Sequence, residues 1–128
     1  MRLLLDTHAC IWWDKATNRL SGRALLAVNR SSNEVFLSVV SLWEMAVKAA
    51  GGKLELRATV REIFEDQQER NAVRVLQVEA AHVWALDDLP RVNADPFDRM
   101  LAAQAAHEGM VLVTRDARIR ELKVRTLW

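Results

Sequence analysis

Leu3-Leu4-Leu5-Asp6-Thr7-His8 is the stretch on which the fold turns: a short apolar run that ends on an acid. Three consecutive leucines suit a strand buried on both faces, the form parallel sheets take. The same pattern returns in Val111-Leu112-Val113-Thr114-Arg115-Asp116. A looser version is Val35-Phe36-Leu37, after which Glu44 follows in Ser41-Leu42-Trp43-Glu44. Asp98 opens a helix in Asp95-Pro96-Phe97-Asp98. In a parallel α/β sheet, strand ends and helix starts share one edge, where such folds place their sites. Asp6, Glu44, Asp98 and Asp116 are therefore expected to converge. Converging acids repel one another, and a divalent cation is the natural way to hold them. Mg²⁺ and Mn²⁺ favour oxygen ligands. The pattern points to metal-dependent phosphoryl chemistry.

Each acid also has a structural reading. Ser41 and Glu44 fit a capping box, Asp98 suits the positive end of a helix dipole, and Asp6 and Asp116 each suit a cap or an Asx turn. Two details favour chemistry. Asp95 already caps its helix, so Asp98 is surplus to that task, and Thr114 with Asp116 puts two oxygen-bearing side chains beside one strand end.

Outward from these points the chain alternates strand and helix. Strands are expected at 2–5, 34–38, 73–78 and 111–114, with a possible fifth at 124–127. Helices are expected at 7–13, at 22–31 behind Ser21, at 41–50 before Gly51-Gly52, and from Thr59 to about 70. Another covers 79–86, and the last runs from Asp95-Pro96 to Gly109. The helix after Thr59 is polar and reads as an outer helix, or as one half of a pair that a partner covers. This alternation argues a parallel sheet of four to five strands with helices on both faces, in one domain spanning residues 1–128.

Composition narrows the function. A net charge of +1 excludes a polyelectrolyte binder acting through bulk charge, yet fourteen of the 18 basic residues are arginine, which suits bidentate contact with phosphate. Arg115, Arg118, Arg120, Lys123 and Arg125 cluster near the end, although a solvated helix face explains that cluster by itself. The single cysteine, Cys10, excludes an internal disulfide and a multi-cysteine zinc site and is expected to be buried. Asp6 and His8 interrupt the first apolar run too early for a signal peptide, and no stretch has transmembrane length, so a cytoplasmic protein is expected.

Five stretches in order carry a family resemblance: Leu-Leu-Leu-Asp-Thr-His at 3–8, Ser-Leu-Trp-Glu-Met-Ala-Val-Lys at 41–48, Gly-Lys-Leu at 52–54, Asp-Pro-Phe-Asp-Arg-Met-Leu-Ala-Ala-Gln-Ala at 95–105, and Leu-Val-Thr-Arg-Asp at 112–116. Together they resemble the PIN-domain ribonucleases, and most closely the VapC toxins of bacterial toxin–antitoxin pairs. The resemblance implies a three-layer α/β/α fold and a Mg²⁺- or Mn²⁺-dependent endoribonuclease acting on tRNA or another structured RNA. It places Asp6, Glu44 and Asp98 in the acidic core, Asp116 as the fourth acid, and Thr7 and Thr114 as polar neighbours. It implies an antitoxin that blocks the site and carries the operator-DNA contact, and it implies a homodimer. Where relatives often have histidine before the Asp-Pro-Phe-Asp run, this chain has Asn93.

On that footing Asp6 and Asp98 are the expected principal ligands, Glu44 orients water or binds a second ion, and Asp116 is an outer ligand. His8, Arg99 and Arg115 are candidate RNA contacts. For His8 the rival reading is a turn or packing role; for the arginines it is an ion pair with a neighbouring acid. His82 and His107 are expected on helix surfaces without a role. Trp12, Trp13 and Trp43 are candidates for the antitoxin groove, with burial in the core as the competing reading for each. Two other functions compete: a PIN-fold nuclease of RNA processing outside a toxin–antitoxin pair, and a non-catalytic binding module that keeps its acids as caps.

Overall fold

The computed structural model describes residues 1–128. Strands β1 (Arg2–Leu5), β2 (Glu34–Ser38), β3 (Arg74–Leu76), β4 (Val111–Val113) and β5 (Thr126–Leu127) form one sheet in the order β3-β2-β1-β4-β5. Every pairing is parallel, as the buried leucine run implied. The helices are α1 (Thr7–Lys15), α2 (Gly22–Asn29), α3 (Val39–Ala50), α4 (Val60–Asn71), α5 (Ala80–Ala85), α6 (Pro96–Glu108) and α7 (Ala117–Arg120). None of them is long and apolar enough to cross a membrane.

The three layers follow from the two-residue period of a strand. Leu3, Leu5, Val35, Leu37, Val111 and Val113 point to one face and join α1 and α2 through Cys10, Ile11, Ala24 and Val28. Leu4, Phe36 and Leu112 point to the other and meet Leu101 and Ala105 of α6. Leu3, Leu4, Leu5 and Leu37 are at most 1% exposed, so this core is dry on both sides of the sheet. Connections after β1 build the sheet one way and those after β4 build it the other. The order thus reverses between β1 and β4, and at that switch point the adjoining loops part and leave a crevice. Asp6 and Thr114 are the residues that follow these two strands.

Local signals set most boundaries. Ser21 accepts from the Ala24 amide, Thr59 and Glu62 form a reciprocal box, and Asp95 accepts from the amides of Phe97 and Asp98. Gly109 closes α6 at φ +66°, a left-handed conformation that glycine adopts without a Cβ penalty. Two expectations need correction. The third strand stops at Leu76 rather than reaching Val78, and α3 begins at Val39 rather than 41. Ser38, not Ser41, caps α3 by accepting from the Val40 amide at 3.0 Å.

Candidate active site

Asp6, Glu44, Asp98 and Asp116 line one cavity of about 190 Å³ at the switch point. Four different elements deliver them. Asp6 ends β1 and caps α1, accepting from the Ala9 amide at 2.7 Å. Asp116 follows β4 and caps α7 through the Arg118 amide at 2.9 Å. Asp98 stands in the first turn of α6, and Glu44 in the second turn of α3. The capping and the converging readings therefore hold together for Asp6 and Asp116. The capping box drawn for Ser41 and Glu44 does not hold, because both lie inside α3, where Glu44 faces the cavity and Ser41 meets the Thr7 hydroxyl.

The carboxylates are held by hydroxyls and amides. The Thr7 hydroxyl donates to Glu44 Oε1 and lies 3.1 Å from Ser41 Oγ. Asn93 Nδ2 donates to Asp98 Oδ2 and to the Arg118 carbonyl, both at 3.0 Å. Asn93 takes φ +50°, a conformation that asparagine tolerates better than most side chains. Where relatives often have histidine, asparagine here anchors an acid. Lys48, one turn beyond Glu44, forms an ion pair with it. Thr114 is fully buried and its hydroxyl accepts from the Asp116 amide at 3.0 Å.

Asp6 and Asp98 pay a charge penalty in this arrangement. Burial, reinforced by Asp116, pushes Asp6 up to about 6, although hydrogen bonds from Thr114 and the Ala9 amide and the charge of His8 oppose it. Asp98 is raised too, first by burial and then by Asp95, Asp116 and Glu44, against the Asn93 hydrogen bond. The donors are hard oxygens on separate elements around one small cavity. That is the donor chemistry Mg²⁺ or Mn²⁺ requires, and the residues fit such an ion.

The remaining expected residues fall in different places. His8 is exposed and borders the cavity. Arg115 lies over the Trp12 ring, 4.8 Å from its centroid, and makes no ion pair. Arg99 is turned away: its guanidinium donates to the carbonyls of Pro90, Val92 and Leu86, so it braces the loop before α6 and pairs with no acid. Trp12 and Trp13 are buried, whereas Trp43 is 59% exposed.

His82 is fully buried rather than on a helix surface. With Glu79 and Glu108 it makes the tightest group of potential metal donors in the chain. Its hydrogen bonds argue against an ion there. The Glu79 amide can only donate, so Nδ1 accepts, and Nε2 carries the proton that meets Glu108 at 3.1 Å. Sequence reasoning also missed Ser38. Its hydroxyl donates to Gln104 Oε1, a buried tie between the helices that bear Glu44 and Asp98. Its signal was a serine closing an apolar strand.

The PIN domain family model matches residues 3–124, nearly the full length. The chain belongs to the PIN-domain family. This PIN domain is 30% identical over 119 residues to Ribonuclease VapC22 of Mycobacterium tuberculosis, covering 92% of this chain and 89% of that protein. Among solved structures, VapBC2 from Rickettsia felis, bound to a DNA fragment from its promoter, superposes with a TM-score of 0.70 at 18% identity, covering 99% of this chain and 98% of that one. VapBC-1 from nontypeable Haemophilus influenzae gives 0.67 at 20% identity, covering 99% and 97%. At such identities the structural likeness concerns the fold, which the PIN domain shares. The sequence match places the PIN domain with the VapC ribonucleases.

Proposed function

We propose that this PIN domain is a Mg²⁺- or Mn²⁺-dependent endoribonuclease and the toxin of a toxin–antitoxin pair. The observation that carries this reading is the meeting of Asp6, Glu44, Asp98 and Asp116 around one cavity at the switch point, with only Glu44 ion-paired to a basic side chain. Asp6 and Asp98 would be the principal ligands, Glu44 and Asp116 the outer ones. A divalent ion held there supplies positive charge to the scissile phosphate and acidifies water. The chain's own part is placement: Thr7 orients Glu44, Asn93 orients Asp98, and the Ala9 amide orients Asp6.

The sequence relative is named a ribonuclease, and the structural relatives are named as VapBC complexes. We therefore assign an antitoxin partner that covers the site and carries any contact with operator DNA. Trp43, edge-on to Phe97 with ring centroids 4.9 Å apart, borders an apolar groove of about 460 Å³, which supports a protein-binding face there.

Cleavage of total RNA and a tRNA panel by the antitoxin-free protein tests the reading. Discrete products are expected with Mg²⁺ or Mn²⁺ and none with EDTA. Asp98→Asn should lower the rate about a thousandfold or more, since several kcal/mol of charge stabilisation is lost. Equal cleavage by folded wild type and variant, or cleavage indifferent to EDTA, would overturn the metal-nuclease reading.

A further inference from the structure

A second cleft, of about 660 Å³, opens from the same acids and shares Asp6, His8 and Asp116 with the site. Its floor is Trp12, 9% exposed. Two guanidinium groups lie over that one indole: Arg19 at 4.7 Å and Arg115 at 4.8 Å from the ring centroid. Lys15 lines the same wall and is tethered to the Glu55 carbonyl at 3.1 Å.

What sets Arg19 and Arg115 apart is the ring they share, since most of the 14 arginines form no ion pair. Arg57, Arg61, Arg70 and Arg74 are each ion-paired with a carboxylate. Arg19 and Arg115 form no ion pair, although Asp6, Asp116 and Glu55 border the cleft with them. Two like charges gathered around one indole repel each other, and an anion bound in the cleft offsets that repulsion. The ring holds each guanidinium by a cation–π contact, and neither guanidinium donates its N–H groups to a protein acceptor, which leaves them for an oxyanion. A strand whose scissile phosphate sits among four carboxylates also needs cations beside it. RNA carries a phosphate at every nucleotide, so its neighbouring phosphates fall in the adjoining cleft.

We propose that this cleft is a subsite for the RNA backbone flanking the cut, with Arg19 and Arg115 as its phosphate-binding residues. This assignment rests on the nuclease reading above. Arg19, on the short turn after α1, then contributes to the site although it is remote in sequence from every acid except Asp6.

The test is binding of a fluorescein-labelled 20-nucleotide RNA of mixed sequence to the full chain carrying Asp98→Asn, across a salt series. Adding Arg19→Gln with Arg115→Gln should lower the slope of log K against log salt by about 1.4, which is two phosphate contacts on a single strand. At 0.1 M salt the corresponding loss of affinity is about 25-fold. A control pair, Arg23→Gln with Arg125→Gln, removes the same charge from outside the cleft and should change neither. In the cleaving protein the Arg19/Arg115 pair should raise KM and leave kcat unchanged.

An Arg19/Arg115 effect no larger than that of the control pair would overturn the subsite. Weaker binding of a decaglutamate peptide with RNA binding intact would also overturn it, in favour of an acidic protein segment. The nuclease reading fails independently. If wild type cleaves no RNA while the salt slope still depends on Arg19 and Arg115, the cleft stands and the nuclease falls. If metal-dependent cleavage persists with KM unmoved, the nuclease stands and the cleft falls.

Discussion

Asp14 and Asp6 bracket the same helix, both nearly buried, and the chain treats them in opposite ways. Asp14 lies at the far end of α1 with its side chain 2% exposed. Arg57 grips both its oxygens, at 2.7 and 2.9 Å, and Gln67 adds an amide at 3.1 Å. Burial by itself raises such an acid, but the Arg57 and Gln67 hydrogen bonds and the charge of Arg70 hold it below the usual range. Asp6, at the near end, has hydrogen bonds but no ion pair, and burial pushes it up to about 6. Asp14, a buried carboxylate with a structural task, is given a protein cation. The acids at the switch point, Glu44 excepted, are left with their charge available to a cation from solution.

This contrast predicts mutations of opposite sign. The larger effect belongs to Asp6→Asn. Asparagine keeps the N-cap of α1, so the change removes charge with little loss of structure. The folded carboxyl holds its proton more tightly than the unfolded one, whose value lies near 3.8. Its contribution to stability is therefore present below pH 4 and lost as the pH rises through about 6. At pH 7.5 in EDTA, Asp6→Asn should be more stable than wild type by about 3 kcal/mol in urea denaturation, and the advantage should vanish below pH 4. Mn²⁺ should erase that advantage, since only wild type keeps the full donor set and an ion at a hundred times its Kd adds about 3 kcal/mol. A variant that is no more stable in EDTA would erase the distinction between the two acids.

Asp14→Asn should act the other way, with a smaller magnitude. It leaves the Arg57 guanidinium with Asp66 as its one charged partner and should cost about 2 kcal/mol. The Asp14 carboxyl is lowered in the folded state, so its contribution is present above about 3.8 and lost as the pH falls through the lower folded value. The gap between wild type and variant should therefore persist at pH 7.5, with or without EDTA, and close in strong acid. RNA cleavage per folded molecule should not change. Loss of cleavage at unchanged stability would show that the Asp14 cluster shapes the site rather than the fold.

What could be read in advance divides along the same line. Ser21, Thr59 with Glu62, and Asp95 with Gly109 act within three or four residues or at a single φ, so the chain displays them directly. The convergence of the acids was legible because strand ends and helix starts share an edge in any parallel sheet. Errors arose where a distant residue decided. Ser38 and Ser41 are equally good local caps, and Gln104, sixty-six residues on, selects Ser38. His82 looked peripheral until Glu108 and Gln104 closed over it. Arg99 sits beside Asp98 in sequence, but a helix carries the two side chains apart, and loop carbonyls take the guanidinium. Asn93 reaches Asp98 only through a positive φ that composition does not reveal.

Ser38 offers the smallest and most selective test, because it belongs to neither acid cluster yet joins the helices of one. Its hydroxyl caps α3 and ties it to α6, six residues beyond Asp98 on that helix. Ser38→Ala removes the cap and leaves Gln104 Oε1 buried without a donor, which together should cost about 1–2 kcal/mol. The Asp14 cluster touches neither partner, so an equal loss of stability there should leave cleavage alone. Ser38→Ala should instead lower kcat severalfold with KM nearly constant, because it moves Glu44 relative to Asp98 and leaves the RNA cleft as it was. Ser38→Thr keeps the hydroxyl and should restore the rate. If both variants lose stability and neither loses kcat, the tie between α3 and α6 serves only the fold, and the site owes its geometry to the sheet edge and to Thr7 and Asn93.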